Sequence, residues 1–194
     1  LSEQHIILAT DIFGHTPYID DFLNTVLPDT TSREVIDPYQ KQHRHHSEVY
    51  FRDEAQAYEA FIDQCGHAQY ARKLALAVKQ CNLPVYLIGF SAGASAAWKA
   101  SHGINPQYLK QLIGFYPTQI RYELNLDIMT QTTLIFPHAE KHFDLLGLIG
   151  EVSQRQNVNC IHSEYEHGFM NPMSQSYSPQ ALQKFSQMVK RLWN

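Results

Sequence analysis

Pro84-Val85-Tyr86-Leu87-Ile88-Gly89-Phe90-Ser91-Ala92-Gly93-Ala94-Ser95-Ala96-Ala97-Trp98-Lys99 changes character twice within 16 residues. Pro84 to Ile88 carries no charge and reads as a strand buried on both faces of a parallel sheet. Ala94 to Lys99 is alanine-rich and continues as a helix. Between them, Gly89-Phe90-Ser91-Ala92-Gly93 sets a glycine two residues before and two residues after a serine. A strand that turns sharply into a helix brings its two arms together at those positions, where a side chain has no room, and holds the serine in a strained turn. The first amide N–H groups of the helix have no partner inside it and face the serine oxygen. An ordinary glycine-rich strand-to-helix turn would carry the same glycines. The flanking strand and helix favour a nucleophile elbow with Ser91 as the nucleophile.

Working outward, short apolar runs alternate with longer amphipathic stretches, the pattern of a parallel sheet with helices on both faces. Strands are expected at Ile6 to Thr10, Glu34 to Asp37, Pro84 to Phe90, Leu112 to Tyr116, Thr133 to Phe136 and Val158 to His162. Helices are expected at Tyr18 to Val26, Glu54 to Gln64, His67 to Cys81, Ala92 to His102, Lys141 to Gln154 and Pro179 to Trp193. In His67 to Cys81, the residues Ala71, Leu74, Ala75 and Val78 recur at helical spacing and mark the face turned to the sheet. Ser178-Pro179 supplies a cap and a proline at the first helical position. Pro38 to Phe51 is polar, His-rich and unpatterned, and reads as a long excursion over the C-terminal edge of the sheet. The expected fold class is α/β, a doubly wound, mostly parallel six-stranded sheet in one domain spanning 1–194.

The charge balance argues against several partners. The 15 Lys and Arg stand against 19 Asp and Glu, a formal net charge of -4, with no basic block to follow a phosphate backbone, so nucleic acid is not expected. No segment approaches the ~20 apolar residues of a membrane span, and the start of the chain lacks the pattern of a signal peptide. Cys65, Cys81 and Cys160 are odd in number and lack CxxC spacing, which points to a reducing, cytoplasmic setting without a disulfide framework or structural metal. A monomer or homodimer acting on a small-molecule substrate is expected.

A serine hydroxyl is a poor nucleophile at neutral pH and needs a base. In a strand-elbow-helix sheet of this kind the base follows the last strand, and the acid precedes it in chain order. His162 belongs to the last strand itself, whereas His167 lies just beyond it in Tyr165-Glu166-His167-Gly168-Phe169-Met170-Asn171-Pro172 and is the candidate base. For the other histidines a hydrogen-bonded surface role is the plainer reading. The orienting acid should follow Thr133 to Phe136, where Glu140 and Asp144 are the available carboxylates. Glu140, about four residues past the strand, is favoured. Asp144 falls inside the expected helix and would assist its N-terminus. The two oxyanion donors would be the amides of Ala92, after the nucleophile, and Ile12, in the loop Asp11-Ile12-Phe13-Gly14 after the first strand. A plain turn closed by Gly14 is the alternative for that loop.

Asp11-Ile12-Phe13-Gly14, the strand ending in Asp37-Pro38, the Gly89 to Gly93 elbow and His167-Gly168-Phe169 occur in the order and spacing of the dienelactone hydrolase family, which the chain resembles over nearly its whole length. The resemblance implies a compact α/β-hydrolase fold with no large lid, carrying a Ser or Cys, His and acid triad, with Asp11 and Phe13 placed to contact substrate. Namesake members of the family carry cysteine at the elbow and a glutamate, in contact with the nucleophile, where this chain has Asp11. With His142-Phe143 setting the register, the family's catalytic aspartate falls on Lys141, so a neighbour must supply the acid. The N-terminal strands usual in the family are missing, which gives an expected strand order of 2-1-3-4-5-6 with the elbow on the central third strand.

Two features stand apart. His43-Arg44-His45-His46 offers metal-binding side chains but lacks the fixed spacing of a site, and a solvated loop is the preferred reading. Arg121, after the fourth strand, is placed either to hold a carboxylate substrate or to form a surface salt bridge, with the salt bridge slightly ahead. Together these readings describe a serine esterase or lactonase acting on a small ester, lactone or thioester, with no cofactor or metal required. The alternatives are an acyl transferase using the same triad and a hydrolase-like binding protein without turnover.

Overall fold

The computed structural model describes residues 4–39 and 51–192. Its six strands are β1 (His5–Ala9), β2 (Ser32–Ile36), β3 (Val85–Phe90), β4 (Leu109–Phe115), β5 (Gln131–Phe136) and β6 (Val158–His162). All adjacent pairs are parallel, in the order β2-β1-β3-β4-β5-β6 that the sequence led us to expect. The chain steps outward from β1 to β2, returns to β3 on the other side of β1, and then proceeds to β6. The winding direction therefore reverses between β1 and β3. The loops leaving the C-terminal ends of those two strands diverge there, at the position where open α/β sheets bind ligands.

Strand side chains alternate between two apolar layers, as a period of two dictates. Ile7, Leu87, Leu112 and Leu134 face one layer, with α3 (Gly66–Gln80), α4 (Ala92–Ser101) and α5 (Leu145–Val152) packed over them and Phe61 of α2 (Glu54–Gln64) joining the same layer. Ile6, Leu8, Ile88, Ile113 and Ile135 face the other, covered by α1 (Pro17–Val26) and α6 (Pro179–Lys190). Trp98 of α4 is fully buried and donates its indole N–H to the Glu123 carbonyl, so truncation there would cost about 3–5 kcal/mol. Phe115, Phe169 and Phe185 pack together on the opposite layer, tying α6 to the loop that carries His167.

Element boundaries shift from the sequence reading where polar residues decide them. β4 starts at Leu109 rather than Leu112, because Leu109 pairs with Val85 and Gln111 with Tyr86 and Gln131, while the exposed Lys110 falls at a register shift between them. α5 starts at Leu145 rather than Lys141, because the Asp144 side chain accepts the Gly147 N–H and caps the helix. A short 3₁₀ helix at Thr118–Tyr122, not anticipated, follows β4. α6 begins as read, with Ser178 capping the Ala181 N–H and Pro179 at the first position, and ends at Lys190. At the edge of the sheet β2 exposes Ser32, Arg33 and Glu34, charges that discourage pairing with another strand. The His43 to His46 tract lies outside the described residues.

Candidate active site

β3 leads directly into α4, and Ser91 between them has φ 48° and ψ -111°, a left-handed backbone that a residue with a Cβ rarely adopts. The flanking glycines make the turn possible. A Cβ at Gly93 would lie 2.5 Å from the Ala9 carbonyl oxygen and closer still to that of Thr10. One at Gly89 would lie 2.6 Å from the Ala94 Cα. The Ser91 N–H donates to the Phe115 carbonyl at 2.9 Å, which fixes the elbow to β4.

The loop after β6 brings in the imidazole. Gly168, at φ 90°, gives His167 its position, and a Cβ there would meet Ser174 Cβ at 2.8 Å. The Tyr116 ring lies against the imidazole with 4.9 Å between centroids. Tyr116 itself has φ 42°, a second left-handed residue on the same edge of the sheet, and burial pushes its hydroxyl well above the ordinary tyrosine range.

These placements join three side chains into one hydrogen-bonded chain. The Ser91 hydroxyl lies 2.9 Å from His167 Nε2, and His167 Nδ1 lies 2.7 Å from Glu140 Oε1. An ionised carboxylate can only accept, so Nδ1 carries the proton and Nε2 is left with the lone pair that faces the serine. Glu140 is the more enclosed partner, its side chain 16% exposed against 36% for His167. Asp144, the other carboxylate considered, is turned to its own helix, and Lys141 is exposed.

The amides of Ala92 and Ile12 belong to the start of α4 and to the loop after β1. Ala92 N–H has no intrahelical acceptor, as for any first residue of a helix. The Ile12 loop is fixed on both flanks. The Asp11 backbone carbonyl accepts the Gly14 N–H, Asp11 Oδ1 accepts the Phe13 N–H, and the Tyr39 hydroxyl donates to the Ile12 carbonyl. Phe13, read as a substrate contact, is buried at 6% exposure.

Asp11, also read as a substrate contact, is buried with both carboxylate oxygens engaged by the protein, Oδ1 with Phe13 N–H at 2.9 Å and Oδ2 with Asn171 Nδ2 at 2.5 Å. Burial pushes its carboxyl up to about 6, against the opposing pull of the Asn171 and Phe13 hydrogen bonds. Arg121 donates to the Thr118 carbonyl and the Tyr122 hydroxyl and stacks over Phe143 at 4.6 Å. Among the described residues no carboxylate forms an ion pair with it. Two residues that sequence reasoning passed over thus belong to the surroundings of the site: Tyr116 against the imidazole, and Asn171 linking the His167 loop to Asp11. Asn171 stands 160 positions from its partner, and no local pattern announces such a pair.

No group of three or more His, Cys, Asp or Glu that could hold a metal is found among the described residues. Among the same residues no helix is long and apolar enough to cross a membrane.

The sheet order, the reversal of winding between β1 and β3 and the serine elbow at the end of β3 define an α/β-hydrolase fold. The model of the dienelactone hydrolase family matches residues 3–194, and the chain belongs to that family. Among curated proteins, the uncharacterized protein YczH of Bacillus subtilis (strain 168) is 32% identical over 92 residues, which is 46% of this chain and 44% of that protein. The match therefore spans under half the length of that relative. Among solved structures, a dienelactone hydrolase-like promiscuous phosphotriesterase from metagenomic libraries superposes with a TM-score of 0.67 at 12% identity, covering 100% of this chain and 88% of the other. An α/β serine hydrolase homologue from Coxiella burnetii superposes with a TM-score of 0.57 at 16% identity, covering 100% of this chain and 86% of the other. At these identities the likeness is one of fold.

Proposed function

We propose that the chain is a serine hydrolase that cleaves a small carboxylic ester, lactone or thioester through an acyl-enzyme on Ser91. The observation that carries this reading is the unbroken chain from the Ser91 hydroxyl through His167 to Glu140, at 2.9 Å and 2.7 Å. Membership of the dienelactone hydrolase family supports it. Ser91 Oγ attacks the carbonyl carbon while its proton passes to His167 Nε2. The carbonyl π electrons move to oxygen, and the Ile12 and Ala92 amides hold the resulting oxyanion. When the tetrahedral species collapses, the bond to the leaving oxygen or sulfur breaks, and that atom takes the proton from Nε2. A water then gives a proton to Nε2 as its oxygen attacks the acyl carbon. Collapse releases the carboxylic acid and returns the proton to Ser91. Glu140 stays ionised throughout, holding the imidazole in the required tautomer and stabilising its cationic form.

Hydrolysis of short p-nitrophenyl esters, a simple lactone and a thioester, measured for wild type and Ser91→Ala, tests the proposal. Turnover by wild type that falls by about 10⁴-fold or more in Ser91→Ala is expected. Equal rates for the two proteins would reject it.

A further inference from the structure

Asp11 and Asn171 lie 160 residues apart and meet in the interior, 6% and 2% exposed. The hydrogen-bonding capacity of Asn171 is committed. Nδ2 donates to Asp11 Oδ2, Oδ1 accepts the Met173 N–H at 2.8 Å, and its own N–H donates to the Gly168 carbonyl at 2.9 Å. Asp11 is committed as well, through Phe13 N–H on Oδ1 and Gly14 N–H on its backbone carbonyl. One carboxylate thus touches both loops: the one whose Ile12 amide would face an oxyanion, and the one whose His167 would move the proton.

We propose that Asp11 is a positioning residue whose carboxylate clamps the Ile12 loop to the His167 loop, keeping the oxyanion donor and the base at a fixed separation. The inference rests on the hydrolase reading for its catalytic meaning, while the clamp itself is a structural statement testable without turnover. It also gives the carboxyl at this position a different task from contact with the nucleophile, since its two oxygens serve Phe13 and Asn171, and the Ser91 hydroxyl is bonded to His167.

The clamp has a defined pH range. Protonating Asp11 removes the charge that strengthens both bonds and turns one oxygen into a hydroxyl, which keeps a lone pair for its N–H but accepts more weakly. Asp11 is faced by Glu54 of α2, His167, Tyr18 of α1, Tyr70 of α3 and Tyr116 after β4. Burial raises its carboxyl to about 6, Glu54 pushes the same way, and His167 opposes. The clamp is strongest above that value and weakens as pH falls through it. Asn171 lowers the Asp11 value, so removing its amide raises that value further, but the clamp is then absent on both sides of it.

The test uses Asn171→Leu, which keeps a similar volume and deletes both the donor to Asp11 and the acceptor of the Met173 N–H. Amide hydrogen exchange of residues 11–14 and 167–171 is measured in both proteins, with kcat and KM for p-nitrophenyl acetate across pH 5 to 9. Expected are faster exchange in both loops together, a fall of about 100-fold in kcat with KM little changed, and a pH profile without the step that wild type shows as Asp11 protonates. A role confined to stability would lower the melting temperature and leave that step in place. Asp11→Asn, which presents an amide donor where a carboxylate accepted, serves as the second variant and should loosen the same two loops. Exchange that quickens in one loop alone, or in neither, overturns the clamp whatever the activity. If wild type shows no Ser91-dependent turnover, the hydrolase reading fails while the exchange result still decides the clamp.

Discussion

The loop after β3 and the loop after β5 leave the same edge of one sheet and deliver their side chains to the two nitrogens of one imidazole, yet they are held in place by opposite means. At the elbow the backbone dictates the residues. Strand and helix approach so closely that Gly89 and Gly93 admit no Cβ, and Ser91 sits in a left-handed conformation between them. In Pro137 to Asp144 the backbone dictates little, and Glu140 is set by its reach to His167 across 27 residues. Steric necessity leaves a mark in the sequence at fixed spacing, whereas a reaching side chain leaves only a choice among nearby carboxylates.

That contrast can be broken or sharpened by substitution. The largest effect is expected at the elbow. Gly93→Ala drives a methyl into the Ala9 and Thr10 carbonyls, which are rigid strand-end backbone, and should destabilise the fold by about 4 kcal/mol or more, read by denaturant unfolding. An unfolding midpoint near that of wild type would show that the elbow is looser than its contacts indicate. In the acid loop, Glu140→Gln should leave the fold intact and lower kcat by about 10²- to 10⁴-fold, since the amide no longer fixes the tautomer or offsets the imidazolium. A rate within twofold of wild type would mean that another group serves as the acid.

Asp144→Ala should do the converse. It removes the cap on α5 for about 1 kcal/mol, or about 2–4 °C in melting temperature for a chain of this size, and should leave kcat near wild type. A larger loss of activity than of stability would return Asp144 to candidacy. Lys141→Ala, at an exposed position where the family's aspartate was expected, should change stability by less than about 0.5 kcal/mol and activity by less than about twofold.

The same distinction explains what the sequence revealed. Buried parallel strands must be apolar on both faces, so the central strands were readable from runs such as Val85 to Ile88, and the elbow from two glycines, whereas the strand order came from the family resemblance. The pairing of Ser91 with His167 followed from chain order along such a sheet. The start of α5 was misplaced by four residues because Lys141 and His142 are tolerated in a helix, and only the bond from Gly147 N–H to Asp144 locates the cap. Tyr116 and Asn171 were invisible. Their positions come from a left-handed turn after β4 and from a contact between distant loops, neither of which imposes a periodic pattern. Arg121 read as the holder of a carboxylate substrate or as half of a surface salt bridge, and in the fold its guanidinium lies over Phe143 and donates to the Thr118 carbonyl.

All of these expectations depend on the Ser91 hydroxyl being activated by the imidazole beside it. Intact-mass spectrometry after exposure to a fluorophosphonate probe measures that directly, because the probe phosphonylates an activated serine and spares ordinary ones. One adduct per chain, mapped to Ser91 and absent from Ser91→Ala, with labelling slowed at least about 100-fold in His167→Ala, is the predicted result. Equal labelling of wild type and Ser91→Ala, or labelling of Ser91 that does not depend on His167, would contradict it.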